Sequence, residues 1–167
     1  MRELHIREAR ETDLAALTGE MGQRPFFIDR LERQARNHGV LLTAWEGTRP
    51  IGDVYLWLEP AEEPEIRLHL PKTPLINHLE IHPAHRRRGY GTKLVRTAEQ
   101  KLASLGHRRV ALAVEQDNHV ATHLYRRLDY ADWPHPRITC LTFTDGTAPR
   151  QVEICRVMVK ELAQEHR

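Results

Sequence analysis

Apolar and polar positions recur with a readable period along most of this chain. Leu4-His5-Ile6-Arg7 alternates and predicts a short strand. Thr12-Asp13-Leu14 offers a helix start, with Leu14 and Leu17 as inward positions and Gly19 and Gly22 as stops. Phe27, Leu31 and Ala35 fall at steps of four, which predicts an amphipathic helix from Phe26 to His38 closed by Gly39. Two apolar runs follow, Val40 to Trp45 and Ile51 to Leu58, separated by the turn Glu46-Gly47-Thr48-Arg49-Pro50. They predict a hairpin.

Residues 59–75 break this regularity. Pro60, Pro64, Pro71 and Pro74 exclude a long helix, and Ile66 to Leu70 alternates weakly, as a short edge strand does. Glu59, Glu62, Glu63 and Glu65 make the segment acidic, which suits a solvated loop or a rim that attracts a cationic amine. Beyond it, Ile76 to His82 reads as a strand. Leu94, Val95, Ala98, Leu102 and Leu105 then form the stripe of a helix from about Gly89 to Leu105, ended by Gly106. Arg109 to Val114 is a buried strand, and Asn118 to Leu128 a helix whose expected core stripe is Val120, Leu124 and Leu128. The tail reads as two strands, Ile138 to Thr144 and Val152 to Lys160, around Asp145-Gly146. Helices and strands interleave without a linker or repeat, so the expectation is one α/β domain spanning residues 1–167.

The chemistry concentrates in residues 79–95, Leu-Glu-Ile-His-Pro-Ala-His-Arg-Arg-Arg-Gly-Tyr-Gly-Thr-Lys-Leu-Val. A strand ends at a proline, a basic glycine-containing loop follows, and a helix begins. The first N–H groups of a helix lack internal partners, and the macrodipole adds positive charge there, so such a place favours anions. Arg86-x-x-Gly89-x-Gly91 resembles the acyl-CoA-binding signature of the GCN5-related N-acetyltransferase (GNAT) family, Gln/Arg-x-x-Gly-x-Gly/Ala. Downstream, Asn118-His119-Val120-Ala121-Thr122-His123-Leu124-Tyr125 to Tyr130 is similar to the family's Asn-x-x-Ala-x-x-Leu-Tyr-x-x-x-Gly-Phe segment. The likeness is strong over residues 76–131 and compatible in pattern elsewhere. One departure is Asp129, which stands where the family has glycine just after the helix.

The resemblance implies a GNAT fold, with a mixed, mainly antiparallel central sheet flanked by helices and a V-shaped opening between strands 76–82 and 109–114. It implies transfer of an acetyl group from acetyl-CoA to a primary amine, by direct attack in a ternary complex without an acyl-enzyme. Main-chain N–H groups from about Arg87 to Thr92, spanning Arg88, Gly89, Tyr90 and Gly91, are expected to hold the pyrophosphate, with Arg86 and its neighbours adding charge. Main-chain groups of Leu79, Ile81 and His82 are expected to meet the pantetheine, with an amide near Ile81 or His82 polarising the thioester carbonyl. Asn118 is expected to cap its helix and face the cofactor. Tyr125 is the expected general acid for the departing thiolate. Glu80, on the strand face opposite Leu79 and Ile81, is the expected general base, with His82 or His78 as alternatives on the same face. The acceptor could be a small metabolite, an antibiotic or a peptide N-terminus. An acyl-CoA-binding sensor without turnover is the alternative function.

Composition narrows the remaining choices. Hydrophobic residues make up 40% and charged residues 29%, a globular balance. Net charge is only +2, which argues against a nucleic-acid binder. No apolar run is long enough to span a bilayer, and the charged start Met1-Arg2-Glu3-Leu4-His5 lacks a signal-peptide apolar region, so a cytoplasmic protein without a membrane partner is expected. A homodimer is left open. Cys140 and Cys155 are expected as free thiols that a hairpin could bring close. His119 and His123 are four apart on a helix, but no Cys or carboxylate pattern completes a site, so no metal is expected.

Overall fold

The computed structural model describes residues 3–163. Its strands are β1 (Leu4–Glu8), β2 (Gly39–Glu46), β3 (Arg49–Trp57), β4 (Leu75–Ile81), β5 (Arg109–Glu115), β6 (Ala131–Asp132), β7 (Ile138–Leu141) and β8 (Val152–Glu161). They form one sheet in the order β1-β2-β3-β4-β5-β8-β6, with β7 also paired to β8. Every pairing is antiparallel except β4 with β5. The helices are α1 (Leu14–Met21), α2 (Arg24–Ala35), α3 (Pro64–His69), α4 (Tyr90–Ser104) and α5 (His119–Arg127). No helix among the described residues is long and apolar enough to cross a membrane.

The sheet buries both faces, which is why β2 and β3 read as continuous apolar runs rather than alternating ones. On one face, Phe26, Phe27 and Leu31 of α2 and Leu17 of α1 pack on Leu41, Tyr55 and Trp57. On the other, Leu94, Val95, Ala98 and Leu102 of α4 pack on Leu42, Val54, Leu56 and Ile76, with Tyr125 and Leu128 completing that core.

Most predicted elements form, and the departures have local causes. Residues 64–69 make a short helix, α3, rather than an edge strand. Pro64 sits in its first turn, where the missing N–H costs nothing, and Ile66 is the residue it buries. Gly19 lies inside α1 and does not stop it; Gly22, at φ 70°, does. The second helix ends at Ala35 with Asn37 in the left-handed region at φ 62°. Gly39 therefore does not close the helix. It opens β2, and a Cβ there would stand 1.9 Å from the Tyr55 hydroxyl.

The helix α5 has the expected length but a different rotation. Val120 is 85% exposed, whereas Thr122 and Tyr125 are buried. Thr122 can turn inward because its hydroxyl donates to the Asn118 carbonyl at 2.9 Å. Asn118 itself caps the helix, accepting from the Ala121 amide at 3.1 Å. Asp129 takes a left-handed φ of 72°, the conformation for which glycine is usual, so the cap survives the substitution. The chain then folds back, with the Tyr130 amide on the Tyr125 carbonyl at 2.9 Å.

Gly39→Ala should be costly although it adds one methyl group, because the Cβ also meets the Leu56 carbonyl oxygen at 2.6 Å. The expected loss is about 1–3 kcal/mol, the usual range for overpacking. Urea unfolding would show it as a lower midpoint at unchanged slope, and a parent-like midpoint would mean that Tyr55 yields freely.

Candidate active site

Two irregularities at β4 create the site. Tyr55 pairs with His78 and Leu56 with Ile76, so Asn77 is an extra residue in β4, a bulge. Asn77 and His78 consequently both line a cleft on the α2 side, while Ile76 belongs to the opposite core. The second irregularity is the parting of β4 from β5. They pair only at Leu75 with Ala111 and Ile76 with Leu112, although both strands continue. Beyond Ile76, the main-chain groups of β4 that face β5 have no ladder partner.

Antiparallel alternation shows which groups these are. The His82 amide donates to the Ile51 carbonyl at 2.8 Å, so it points at β3. Leu79 and Ile81, one residue out of phase, point into the opening. The His82 amide is thus committed within the sheet, and of the two expected carbonyl polarisers only the Ile81 amide faces the gap. The Ile81 carbonyl accepts from Arg86 Nε at 3.0 Å, so Arg86 holds the loop against the strand end.

The loop after β4 meets the requirements of an anion site. Arg87 and Gly89 take left-handed φ values of 65° and 78°, and such alternation turns successive N–H groups to one side. Among the described residues, the main-chain N–H groups from Arg87 to Thr92 donate to nothing. The first to bond is Lys93, to the Gly89 carbonyl at 3.2 Å. Tyr90 has a structural task, donating its hydroxyl to Glu46 at 2.9 Å. His85 and Arg88 approach the same carboxylate at 3.3 and 3.9 Å. The chain presents a cluster of unpaired donors fit for pyrophosphate oxygens. Gly91 faces inward, where a Cβ would meet only Leu124 at 3.7 Å and two atoms at 4.0 Å.

On the α2 side of the sheet lies a cleft of about 570 Å³ whose lining includes Gln23, Phe26, Arg30, Asn77, His78, Phe143, Cys140 and Cys155. His78 lines this cleft, and two carboxylates that do not line it sit beside the imidazole. Asp53 on β3 is 0% exposed and lies 3.1 Å from His78 Nε2, close enough for an ion pair though not aligned for a hydrogen bond. His78 Nε2 is also 3.5 Å from Glu80, whose other partner is Gln23, donating at 2.6 Å. Burial by itself lowers His78, but the two carboxylates outweigh it and lift its pKa to about 9. Burial pushes Asp53 up, and His78 pulls it back only in part. His78 holds Glu80 below the usual carboxylate range against partial burial. Both carboxylates thus favour the imidazolium form of His78. Asp53 escaped the sequence reading because nothing local marks it; only the register of β3 against β4, which sets it opposite Glu80, brings it here.

The remaining candidates separate. His82 Nδ1 accepts from the Ala84 amide at 3.2 Å, and its ring lies against His85, away from the His78 group. His119 and His123 are exposed. Among the described residues, the only grouping of His, Cys, Asp and Glu side chains close enough to share an ion is Asp53, His78 and Glu80, whose ligand atoms lie within 4.8 Å of one another. Tyr125 is 6% exposed, more deeply set than an edge position, and burial raises its pKa. Its hydroxyl has no hydrogen-bond partner among the described residues. Cys140 and Cys155 are free thiols on adjacent strands, and their mutual contact pushes the Cys140 thiol up and the Cys155 thiol down.

Comparison with solved structures finds the same fold at low identity. NAA60 of Arabidopsis thaliana, solved with acetyl-CoA, superposes with a TM-score of 0.70 at 18% identity, covering 96% of this chain and 99% of that one. An N-acetyltransferase from Staphylococcus aureus Mu50 gives 0.69 at 14% identity, with 96% and 99% covered. The ribosomal-protein-S18-alanine N-acetyltransferase of Escherichia coli gives 0.65 at 15% identity, with 98% and 97% covered. Comparison with curated protein sequences finds no match. The sequence model of the acetyltransferase (GNAT) family matches residues 2–130. With the opened strand pair and the anion-accepting loop both inside that span, the chain belongs to the GNAT family.

Proposed function

We propose that this protein transfers an acetyl group from acetyl-CoA to a primary amine, by direct attack in a ternary complex. The observation that carries this reading is the parting of β4 from β5 between two complementary surfaces. Unpaired N–H groups lie at the α4 start, and a cleft lined by His78, with Glu80 and Asp53 beside the imidazole, lies on the α2 side. Acetyl-CoA supplies the activated acyl group. Its pyrophosphate is assigned to the main-chain donors of Arg87 to Thr92, and its pantetheine to Leu79 and Ile81, with Asn118 at the neighbouring helix start.

The acceptor ammonium must lose a proton before its nitrogen can attack. Glu80, ionised and held beside the cleft by His78 and Gln23, accepts that proton directly or through water. His78 balances the carboxylate charge and Asp53 holds the imidazolium. The nitrogen then bonds to the thioester carbon, the Ile81 amide donates to the developing oxyanion, the nitrogen sheds its second proton to water, from which Tyr125 is later reprotonated, and the carbon–sulfur bond breaks. Tyr125, kept protonated by burial, donates its hydroxyl proton to the thiolate. A screen of acetyl transfer across amine classes, read by mass, tests the whole reading. Tight acetyl-CoA binding with no transfer to any amine would instead mark a sensor.

Gly89→Val should raise the Michaelis constant for acetyl-CoA, since a branched residue is strained at φ 78° and would distort the loop that presents the N–H groups, while the open space around it spares the core. Losing one charge-assisted hydrogen bond, about 1.5–3 kcal/mol, corresponds to roughly 10- to 100-fold. Gly91→Ala should bind acetyl-CoA like the parent. Equal affinity in both variants and the parent would remove the loop from the cofactor site.

His78 should stay protonated through neutral pH and release its proton near pH 9, the value to which the two carboxylates raise it. Asp53→Asn removes one of those carboxylates, so the titration should move down toward the reference near 6.5. Imidazole NMR reads this directly. A His78 already neutral at pH 7 in the parent would take the ion pair out of the mechanism.

Tyr125→Phe removes a hydroxyl and little volume. Its single-turnover rate should fall by roughly 10²–10⁴, the span of general-acid catalysis, with acetyl-CoA affinity little changed. A parent-like single-turnover rate would leave Tyr125 as a packing residue.

A further inference from the structure

Arg30 has no part in the chemistry above, yet it is the most unusual residue in the acceptor cleft. It lies on α2, is 5% exposed, and points its guanidinium among four aromatic rings. The guanidinium carbon is 4.6 Å from the Phe26 ring centroid, 4.9 Å from Tyr55, 5.4 Å from Phe143 and 5.5 Å from Trp57. One terminal nitrogen pairs with Asp29. The other donates to Asn77 Oδ1 at 2.8 Å.

Burying a guanidinium this deeply is expensive, and a methionine or leucine would fill the same space at lower cost. The charge must therefore serve something a hydrocarbon cannot. Its hydrogen bond to Asn77 is the feature that an apolar residue would lose. Asn77 is the extra residue of the β4 bulge, and among the described residues its side chain bonds only to Arg30. Phe143 belongs to the segment between β7 and β8. Arg30 thus joins α2, the bulge and the far wall of the cleft at one point.

We propose that Arg30 is a positioning residue for acyl transfer, holding the β4 bulge through Asn77 so that His78 and Glu80 keep their place against the opened strand. Its planar fork bonds Asp29 and Asn77 in one plane while its faces meet aromatic rings. Lysine cannot reproduce this, because its ammonium is a point donor without a flat face. The proposal rests on the acetyl-transfer reading for its kinetic consequence, but not for its structural one.

The test uses Asn77→Ala, Arg30→Met, Arg30→Lys and the double variant Arg30→Met/Asn77→Ala in the full chain. Asn77 is exposed, so its truncation leaves the core intact and stays informative if the Arg30 variants fold poorly. In single turnover, Asn77→Ala should slow acyl transfer by roughly 10- to 100-fold, the penalty for sub-ångström to ångström misplacement. The acetyl-CoA Michaelis constant should stay within about twofold, because the phosphate loop lies on the other side of the opening. Arg30→Lys should not rescue the rate, and the double variant should be no slower than the slower single one, since both remove one contact.

A second readout needs no catalysis. Backbone amide signals of residues 76–80 should shift in both single variants while those of α4 stay in place. Shifts without any acetyl transfer in the parent would keep the clamp and overturn the assigned reaction. Unmoved amides together with parent-like single-turnover rates in Asn77→Ala, or strictly additive losses in the double variant, would overturn the clamp.

Discussion

The site depends on a sheet pairing that is broken off. β4 and β5 share two paired positions and then diverge, and the bulge at Asn77 marks the same place on the opposite edge of β4. A parallel pair in a sheet interior normally completes its ladder, because buried peptide groups without partners are costly. Here the cost is limited by letting other atoms approach. Arg86 covers the Ile81 carbonyl, and the remaining groups face an opening where a ligand with amide groups can complete what β5 does not. Unmet hydrogen-bonding capacity therefore lines the opening. The α4 start adds a further group of unpaired N–H donors after it.

The bulge has a second effect, on charge. By turning Asn77 and His78 to the same side, it brings His78 against Asp53, a carboxylate that would otherwise stand buried beside Glu80 with no cation. Two carboxylates facing each other across β3 and β4 repel, and a histidine held between them as a cation is the physical remedy. The same arrangement keeps Glu80 ionised. Backbone geometry and acid–base chemistry are coupled here, since shifting β4 by one residue would separate the imidazole from both partners.

What the sequence revealed follows from how local each cause is. The loop of unpaired N–H groups was legible because its cause is local: two glycines, a run of arginines and a helix start within seven residues. Asn118 was legible for the same reason, and its capping bond is present. The rotation of α5 was not, because Thr122 counts as polar until its hydroxyl is seen bonded to its own helix. Glu80 could be placed on a face by alternation. Asp53 could not be connected to it, since their pairing is a matter of register between strands nearly thirty residues apart. The short helix α3 was missed because six residues with one proline at the front carry too little period to distinguish helix from strand.

The arginines of the acceptor cleft bear on which substrates it suits. Arg30 pairs with Asp29, Arg33 with Asp29 and Glu59, and Arg150 with both oxygens of Glu62. Among the described residues, each guanidinium of this wall is thereby matched by a carboxylate. An acceptor bearing a carboxylate would have to break one of these pairs to be held, which costs more than the new contact returns. An acceptor whose only charge is its ammonium meets no such competition. Under the proposed reaction it would approach Glu80, which His78 and Arg86 keep ionised. Such a cleft would suit a cationic amine whose uncharged remainder rests on the aromatic, self-paired wall.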